Sequence, residues 1–291
     1  MQLVSIVIPT YNRVRDLERA LKSVLAQTYS HWEVLIIDNY SNDNTDNLIN
    51  GFNDSRLKLF KIHNEGVIAA SRNLGILKAK GDYVALLDSD DWWVPQKLEE
   101  SLKYLKQGAD LVYHDLFVVT KSDQKFFWKL ARTRNLKSPV FDDLLINGNA
   151  INNSSVVVRR DVLNKINGFS EDRIMIATED YDGWLQIAKI TENFTRIPQT
   201  LGYYWAGGGN ISSPHQTLKI LSALEERYST DIINFGGRIS WISYLRGRAN
   251  FHLKFYEIAK KNFRLIRWRG SPFRTYVKSC WMRLLIELYR L

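Results

Sequence analysis

Tyr83-Val84-Ala85-Leu86-Leu87-Asp88-Ser89-Asp90-Asp91-Trp92-Trp93 is the stretch that decides the fold. An unbroken apolar run stops at three carboxylates within four positions. A short apolar run bounded by polar residues is a buried strand of the kind found in parallel sheets. Carboxylates this close repel one another, so placing them at a sheet's rim is unfavourable unless a cation or hydrogen-bond donors compensate. A hard divalent cation, Mg2+ or Mn2+, uses one or two carboxylates and completes its shell with water and phosphate oxygens. The alternative is a solvated acidic turn with capping roles for the helix after Pro95. An isolated Asp-x-Asp favours the turn. Following an apolar strand, with a second strand ending at Asp38, it favours a site.

Working outward, the preceding segments alternate. Leu3–Ile8 (LVSIVI) reads as a strand ending at Pro9-Thr10, and Trp32–Asp38 (WEVLIID) as a strand ending at an aspartate. Between them Leu17, Ala20, Leu21, Val24 and Leu25 recur at helical spacing over Asp16–Ala26. Asn44-Thr45-Asp46 is placed to cap a short helix. Leu57–Ile62 is a third strand, and Ile68–Lys80 a helix closed by Gly81 as C-terminal glycine. Strand–helix alternation predicts an α/β fold with a mostly parallel central sheet flanked by helices. Ligands of such sheets bind beyond the carboxyl ends of the strands, where Thr10, Asp38 and Asp88–Asp91 should converge.

After Trp93 the spacing predicts a helix over Gln96–Lys106, a strand over Leu111–Thr120 and an exposed excursion over Lys121–Ser138. A strand at Ser154–Arg159, helices at Asp161–Asn167 and Glu179–Lys189, and a strand at Leu201–Tyr204 running into Gly207-Gly208-Gly209 follow. Glu179-Asp180 opens a predicted helix. There it is either a pair of capping charges or a general base that takes a proton from an attacking hydroxyl. Arg72 either reaches an acidic crevice, pairing with Asp residues or a diphosphate, or is a surface arginine. No Gly-x-Gly-x-x-Gly follows the first strand and no Walker-type loop occurs, which argues against common dinucleotide and NTP sites. The five histidines lack metal-ligand spacing.

The chain has 291 residues, 45% hydrophobic and 24% charged, an ordinary globular balance. One cysteine, Cys280, excludes an internal disulfide framework and a cysteine-built zinc site. MQLVSIVIPT lacks the features of a secretory signal, and no run is long enough for a membrane-spanning helix. The expectation is a chain kept in a reducing cytoplasm. The net charge of +9 is uneven: residues 236–291 hold 13 Lys and Arg against 2 Asp and Glu, and the rest 27 against 29. The same segment holds 11 of the 36 aromatic residues. Basic and aromatic residues at helical spacing suit an anionic membrane surface. They suit equally a helical subdomain with an aromatic core and a solvated basic face. No nucleic-acid-binding motif is present, and nucleic acid is not an expected partner.

VSIVIPTYNR, VLIIDNYSNDNT, SRNLGI, YVALLDSDDWW and TEDYDGWLQ, in this order over roughly the first 210 residues, resemble glycosyltransferase family 2. The resemblance implies a GT-A fold over residues 1–215, with a nucleotide-sugar-binding half at 1–110 and an acceptor-side half at 111–215. Residues 216–291 would then form a helical, basic, membrane-surface segment. It implies an inverting transfer from a nucleotide sugar, most often a UDP sugar, to a hydroxyl of a glycan or lipid-linked oligosaccharide in O-antigen or capsule synthesis. Such an enzyme would be peripheral at the cytoplasmic face of the inner membrane. By the same resemblance Pro9, Thr10 and Tyr11 line the base pocket, Asp38 hydrogen-bonds uracil, and Arg72 contacts the nucleotide. Asp88, Ser89 and Asp91 belong to the nucleotide-sugar contacts, Asp90 holds Mn2+ or Mg2+, and Asp180 is the general base supported by Glu179. Trp92 and Trp93 would stack on sugar faces or pack in the core. Two departures stand out. Asp38-Asn39-Tyr40-Ser41 replaces Asp-Asp-Gly-Ser, and Gly207 stands where many relatives carry a histidine, with His215 as a substitute eight residues on. The missing histidine supports a second reading, a non-catalytic nucleotide-sugar binder or regulator.

Overall fold

The protein is described by a computed structural model over residues 2–208, 213–269 and 271–288. The chain divides into two compact units, Met1–Val140 with Ala150–Asn210, and Phe141–Asn149 with Ile211–Leu291.

The first unit follows the alternation expected from the sequence. It runs β1 (Val4–Thr10), α1 (Val14–Leu25), β2 (Trp32–Asp38), α2 (Thr45–Gly51), β3 (Leu57–Lys61), α3 (Ile68–Lys78) and β4 (Tyr83–Leu86). These four strands pair in parallel, β1 lying between β2 and β4 and β3 outside β2. Every residue of β1, β2 and β4 is buried, which is why their sequences are continuous apolar runs rather than alternating ones. Leu17, Ala20, Leu21 and Val24 of α1 supply the stripe that covers the sheet.

The chain then leaves strict alternation. β5 (Trp92–Trp93), α4 (Lys97–Lys106), β6 (Leu111–Val119) and β7 (Leu130–Ala131) come next, then α5 (Val140–Asn147). After a 3-10 turn at Asn153–Ser155 come β8 (Val157–Arg159), α6 (Arg160–Lys165), a 3-10 turn at Arg173–Met175, α7 (Glu179–Ala188) and β9 (Phe194–Trp205). The strand order is β3-β2-β1-β4-β8-β6-β9-β5, with β7 on β6. β8 joins β4 and β6 antiparallel, β6 and β9 are parallel, and β5 and β7 are antiparallel additions. Parallel pairing is thus uniform among β1–β4, and in the rest of the described sheet it recurs between β6 and β9.

Five features differ from the sequence expectation. β9 spans 12 residues where Leu201–Tyr204 was expected, because its first half carries Pro198 and polar residues and follows β6 through register shifts. Trp92-Trp93 is a short strand on β9, and the 121–138 excursion contains β7. Asn44 makes no side-chain cap on α2. Asp43 does that work, accepting from the Thr45 N–H at 3.2 Å and the Val14 N–H of α1 at 2.9 Å. Gly81 does not cap α3, whose C-cap is Ala79 in extended backbone. A Cβ at Gly81 would instead lie 2.5 Å from the Leu3 carbonyl oxygen, so glycine lets the chain enter β4 against β1.

The second unit holds α8 (Pro214–Arg227), α9 (Ser229–Asn234), α10 (Ser240–His252), α11 (Tyr256–Arg264) and α12 (Phe273–Leu288). The segment 141–149 groups here rather than with the sheet. The Trp241 indole donates to the Leu145 carbonyl at 2.9 Å, and Phe141 packs on Tyr228. A second small core forms from Ala259, Phe263, Ile266 and Ile286. Among the described residues no helix is long and apolar enough to cross a membrane.

Candidate active site

Parallel pairing sets the site. The register β1–β2 places Thr10 beside Asp38, and Leu87 donates to the Val7 carbonyl, so the carboxyl ends of β1, β2 and β4 share one rim. Beyond β4 the chain turns tightly, with the Asp91 N–H donating to the Asp88 carbonyl at 3.0 Å.

Arg72 ties the rim together. It is 4% exposed on α3; one guanidinium nitrogen donates to Asp88 Oδ1 at 2.8 Å and another to Glu179 Oε1 at 2.5 Å. Burial alone would lower its pKa, but Asp88 and then Glu179 more than reverse this and keep it charged. A fork of donors in fixed geometry suits two carboxylates from different elements. Asp88 Oδ1 also accepts from Asn153 Nδ2 at 3.0 Å, and its N–H donates to Ser154 Oγ at 3.1 Å. The turn of β4 is thus braced by the 3-10 turn before β8.

Asp90 pairs with Arg13 at 2.5 Å, and Arg19 donates to its carbonyl at 2.6 Å. Burial, then the charge of Asp88, raises the Asp90 pKa, and Arg13 pulls it back. Asp91 is 2% exposed and accepts from the Trp205 N–H at 2.8 Å. Burial and then Asp88 and Asp90 push its pKa well up, so it behaves as an internal brace between the turn and β9. Ser89 is buried beside it.

Asp180 is the second residue of α7, next to Glu179. Its Oδ1 accepts from the Tyr181 N–H at 2.7 Å. Burial, followed by the Glu179 charge, pushes its pKa up to about 7 against the opposing pull of Arg72. A carboxyl at that value is poised to accept a proton near neutrality. Glu179 is 4% exposed, and its second oxygen has no partner.

Asp38 belongs to a separate cluster at the end of β2. It is fully buried, accepts from the Ser41 N–H at 3.1 Å, contacts the Ser41 hydroxyl and pairs with Lys61 at 2.8 Å. Pro9 and Thr10 are buried, with the Thr10 hydroxyl unpartnered, while Tyr11 is exposed. Tyr40 stacks on His63 at 3.9 Å.

Of the two tryptophans, Trp93 is core: its indole donates to the Ser154 carbonyl at 2.7 Å and its ring lies under Lys97 Nζ at 3.7 Å. Lys97 is wholly buried without a hydrogen-bond partner, and burial holds its pKa well below the ordinary amine range. Trp92 stacks on Tyr203, and the Arg19 guanidinium lies over the Trp92 ring, 4.1 Å from its centroid. At Gly207 a Cβ would lie 2.2 Å from the Trp205 ring, so the indole occupies the space a side chain there would need. Residues 209–212 of that loop lie outside the described residues. His215 is exposed on the first turn of α8, in the other unit.

Among the described residues no group of three His, Cys, Asp or Glu is arranged to hold a metal. The rim nevertheless fits a hard cation. Asp88 commits Oδ1 to Arg72 and Asn153, and Asp90 commits Oδ2 to Arg13. Each has an oxygen left to offer, and Mg2+ or Mn2+ needs few protein ligands when phosphate supplies others. Arg13, Asn153, Ser154 and Lys61 were not singled out from the sequence. Only Arg13 stood inside a quoted motif, and its pairing with Asp90 crosses 77 positions.

The family profile described as Glycosyl transferase family 2 matches residues 5–166. The chain is 34% identical over 188 residues to WfgD of Escherichia coli, a UDP-Glc:alpha-D-GlcNAc-diphosphoundecaprenol beta-1,3-glucosyltransferase, covering 64% of this chain and 70% of that protein. In fold it is similar to residues 1–349 of S. aureus TarS in complex with UDP-GlcNAc (TM-score 0.60, 18% identity, 100% of this chain and 92% of that one). It spans 50% of a longer TarS chain. It is similar also to the mannosyltransferase PcManGT of Pyrobaculum calidifontis in complex with GDP-Man and Mn2+ (TM-score 0.58, 15% identity, 99% and 86%).

Proposed function

This chain belongs to glycosyl transferase family 2, and on that premise we propose that it transfers a sugar, with inversion, from a UDP sugar to a hydroxyl of a lipid-linked oligosaccharide in surface-polysaccharide synthesis. The observation that carries the reading is the chain of contacts Asp88–Arg72–Glu179, ending beside Asp180. One buried arginine joins the acidic turn after β4 to the start of α7. It fixes the carboxyl that takes a proton relative to the turn that receives the donor.

The roles follow from this arrangement. Asp180 accepts the proton of the acceptor hydroxyl as its oxygen attacks the anomeric carbon on the face opposite the leaving diphosphate. Glu179 holds Arg72 and, by its charge, keeps Asp180 basic enough to act near neutral pH. Asp38 and Tyr11 receive the base, Pro9 and Thr10 line it, and Asp88, Ser89 and Asp91 shape the ribose and sugar side. Asp90 would hold Mn2+ or Mg2+, which supplies neutralisation of the departing diphosphate. The acceptor class rests on the name of WfgD, and residues 236–291 would bring the enzyme peripherally to an anionic membrane surface, where such acceptors reside.

The test is a transfer assay over a panel of nucleotide sugars with an undecaprenyl-diphosphate-linked acceptor. Asp180→Asn is expected to lose transfer while keeping UDP binding. Asp90→Asn is expected to raise the Mn2+ needed, and EDTA to stop turnover until Mn2+ or Mg2+ is restored. Unchanged transfer by Asp180→Asn removes the base from its role. The filled position at Gly207 favours the second reading, a binder without turnover; calorimetric UDP binding with no transfer from any donor would establish it.

A further inference from the structure

The last helix of the second unit has two unlike faces. Ser279 and Ile286 of α12 are buried, and Tyr276 and Met282 pack beside Ile286 on the small core. Phe273, Val277, Trp281, Leu284 and Leu288 follow at steps of four, four, three and four residues. At 3.6 residues per turn they fall within an arc of roughly 80° on the side opposite Ile286. They are 63%, 47%, 60%, 52% and 58% exposed, and no polar residue interrupts them. Trp268, 62% exposed, extends the stripe with its ring edge-on to Phe273 at 5.4 Å. A continuous exposed apolar stripe of this kind marks an interaction surface.

We propose that this face of α12 lies in the plane of an anionic bilayer surface, with the stripe in the acyl boundary and the basic flank over the headgroups. The proposal rests on the peripheral membrane reading above and names the element responsible. Charge selects lipid over a second copy of the chain. Arg274 and Lys278 are exposed along one edge of the stripe, and residues 236–291 carry 13 basic against 2 acidic side chains. Two copies meeting on this face would bring like charges together, whereas an anionic lipid surface is complementary to them. Tryptophan at both Trp268 and Trp281 matches the boundary between acyl chains and water, and long basic side chains at the edge reach back to headgroups. The stripe also explains why the sequence supported two readings of this segment: α12 packs a core on one side and leaves an apolar face open on the other.

The experiment uses the full chain with vesicles of phosphatidylcholine alone, of phosphatidylcholine with phosphatidylglycerol, and of the same mixture brominated in the acyl chains. The expected result is co-sedimentation with the anionic vesicles and tryptophan quenching by the brominated ones. Leu284→Ser with Val277→Ser should weaken binding at least tenfold with unchanged circular dichroism and donor hydrolysis. Trp281→Ser should remove most of the quenching. If the full chain binds anionic vesicles and both variants bind equally with quenching intact, the assignment to α12 is overturned while the membrane reading stands. If the full chain binds no vesicle, both fall. A concentration-dependent dimer in sedimentation velocity that Leu284→Ser with Val277→Ser abolishes, without vesicle binding, gives the face to a second copy and overturns the proposal.

Discussion

At Asp180 the charged form is opposed twice, by burial and by Glu179, and Arg72 offsets only part of this. Two outcomes follow with opposite signs. Proton acceptance needs the ionised carboxyl, so kcat/KM should rise as pH increases through about 7. Asp180→Asn should lower transfer by roughly 10²–10⁴-fold, the usual worth of a positioned base. For stability the sense is reversed. The folded carboxyl, at about 7, holds its proton more tightly than the unfolded one, so its contribution worsens as pH climbs from the ordinary carboxylate range to above 7. Asp180→Asn should therefore melt higher than wild type at pH 8 and match it at pH 4, as thermal scans at the two values would show. Arg72→Ala strands Asp88 and Glu179, and urea unfolding should report a loss of about 3–5 kcal/mol, the cost of breaking a buried pair. The individual acids were legible in the sequence because each ends an apolar run or opens a helix. Their link was not: Arg72 and Glu179 lie 107 positions apart, and nothing local to either names the other.

Among the elements, those with a clean period were legible. β1, β2 and β4 are continuous apolar runs because both faces are covered, and α1 shows its buried stripe openly. β9 was hidden for a physical reason: Pro198 and alternating polar residues sit in a strand that only β6 and β5 make necessary. Gly81 shows how a correct residue can carry the wrong explanation. Its φ is not left-handed, and its service is closeness to the Leu3 carbonyl. Gly81→Ala should accordingly cost about 1–3 kcal/mol through displacement of β1 from β4, the penalty of overpacking, measured by chemical denaturation. An αL cap would predict a comparable loss for Ala but near-recovery with Asn. Close approach predicts that Asn at this position is worse than Ala, and the pair separates the two.

For the molecule as a whole, charge and core divide along the same line: the sheet unit holds the acidic rim, and the basic excess lies in the helical unit with its own core. Phe263 is fully buried in that smaller core, so Phe263→Ala should cost it about 3–5 kcal/mol, visible as a lowered calorimetric transition, while UDP affinity is unchanged. Lys97 has a consequence of another kind. Its amine is sealed over Trp93, whose indole holds the Ser154 carbonyl, and the Ser154 hydroxyl receives the Asp88 N–H. An acylating reagent in solution can therefore modify Lys97 only when α4 lifts and this support loosens. The rate at which mass spectrometry finds that one lysine labelled, with and without UDP, becomes a clock for how often the acidic turn after β4 breathes.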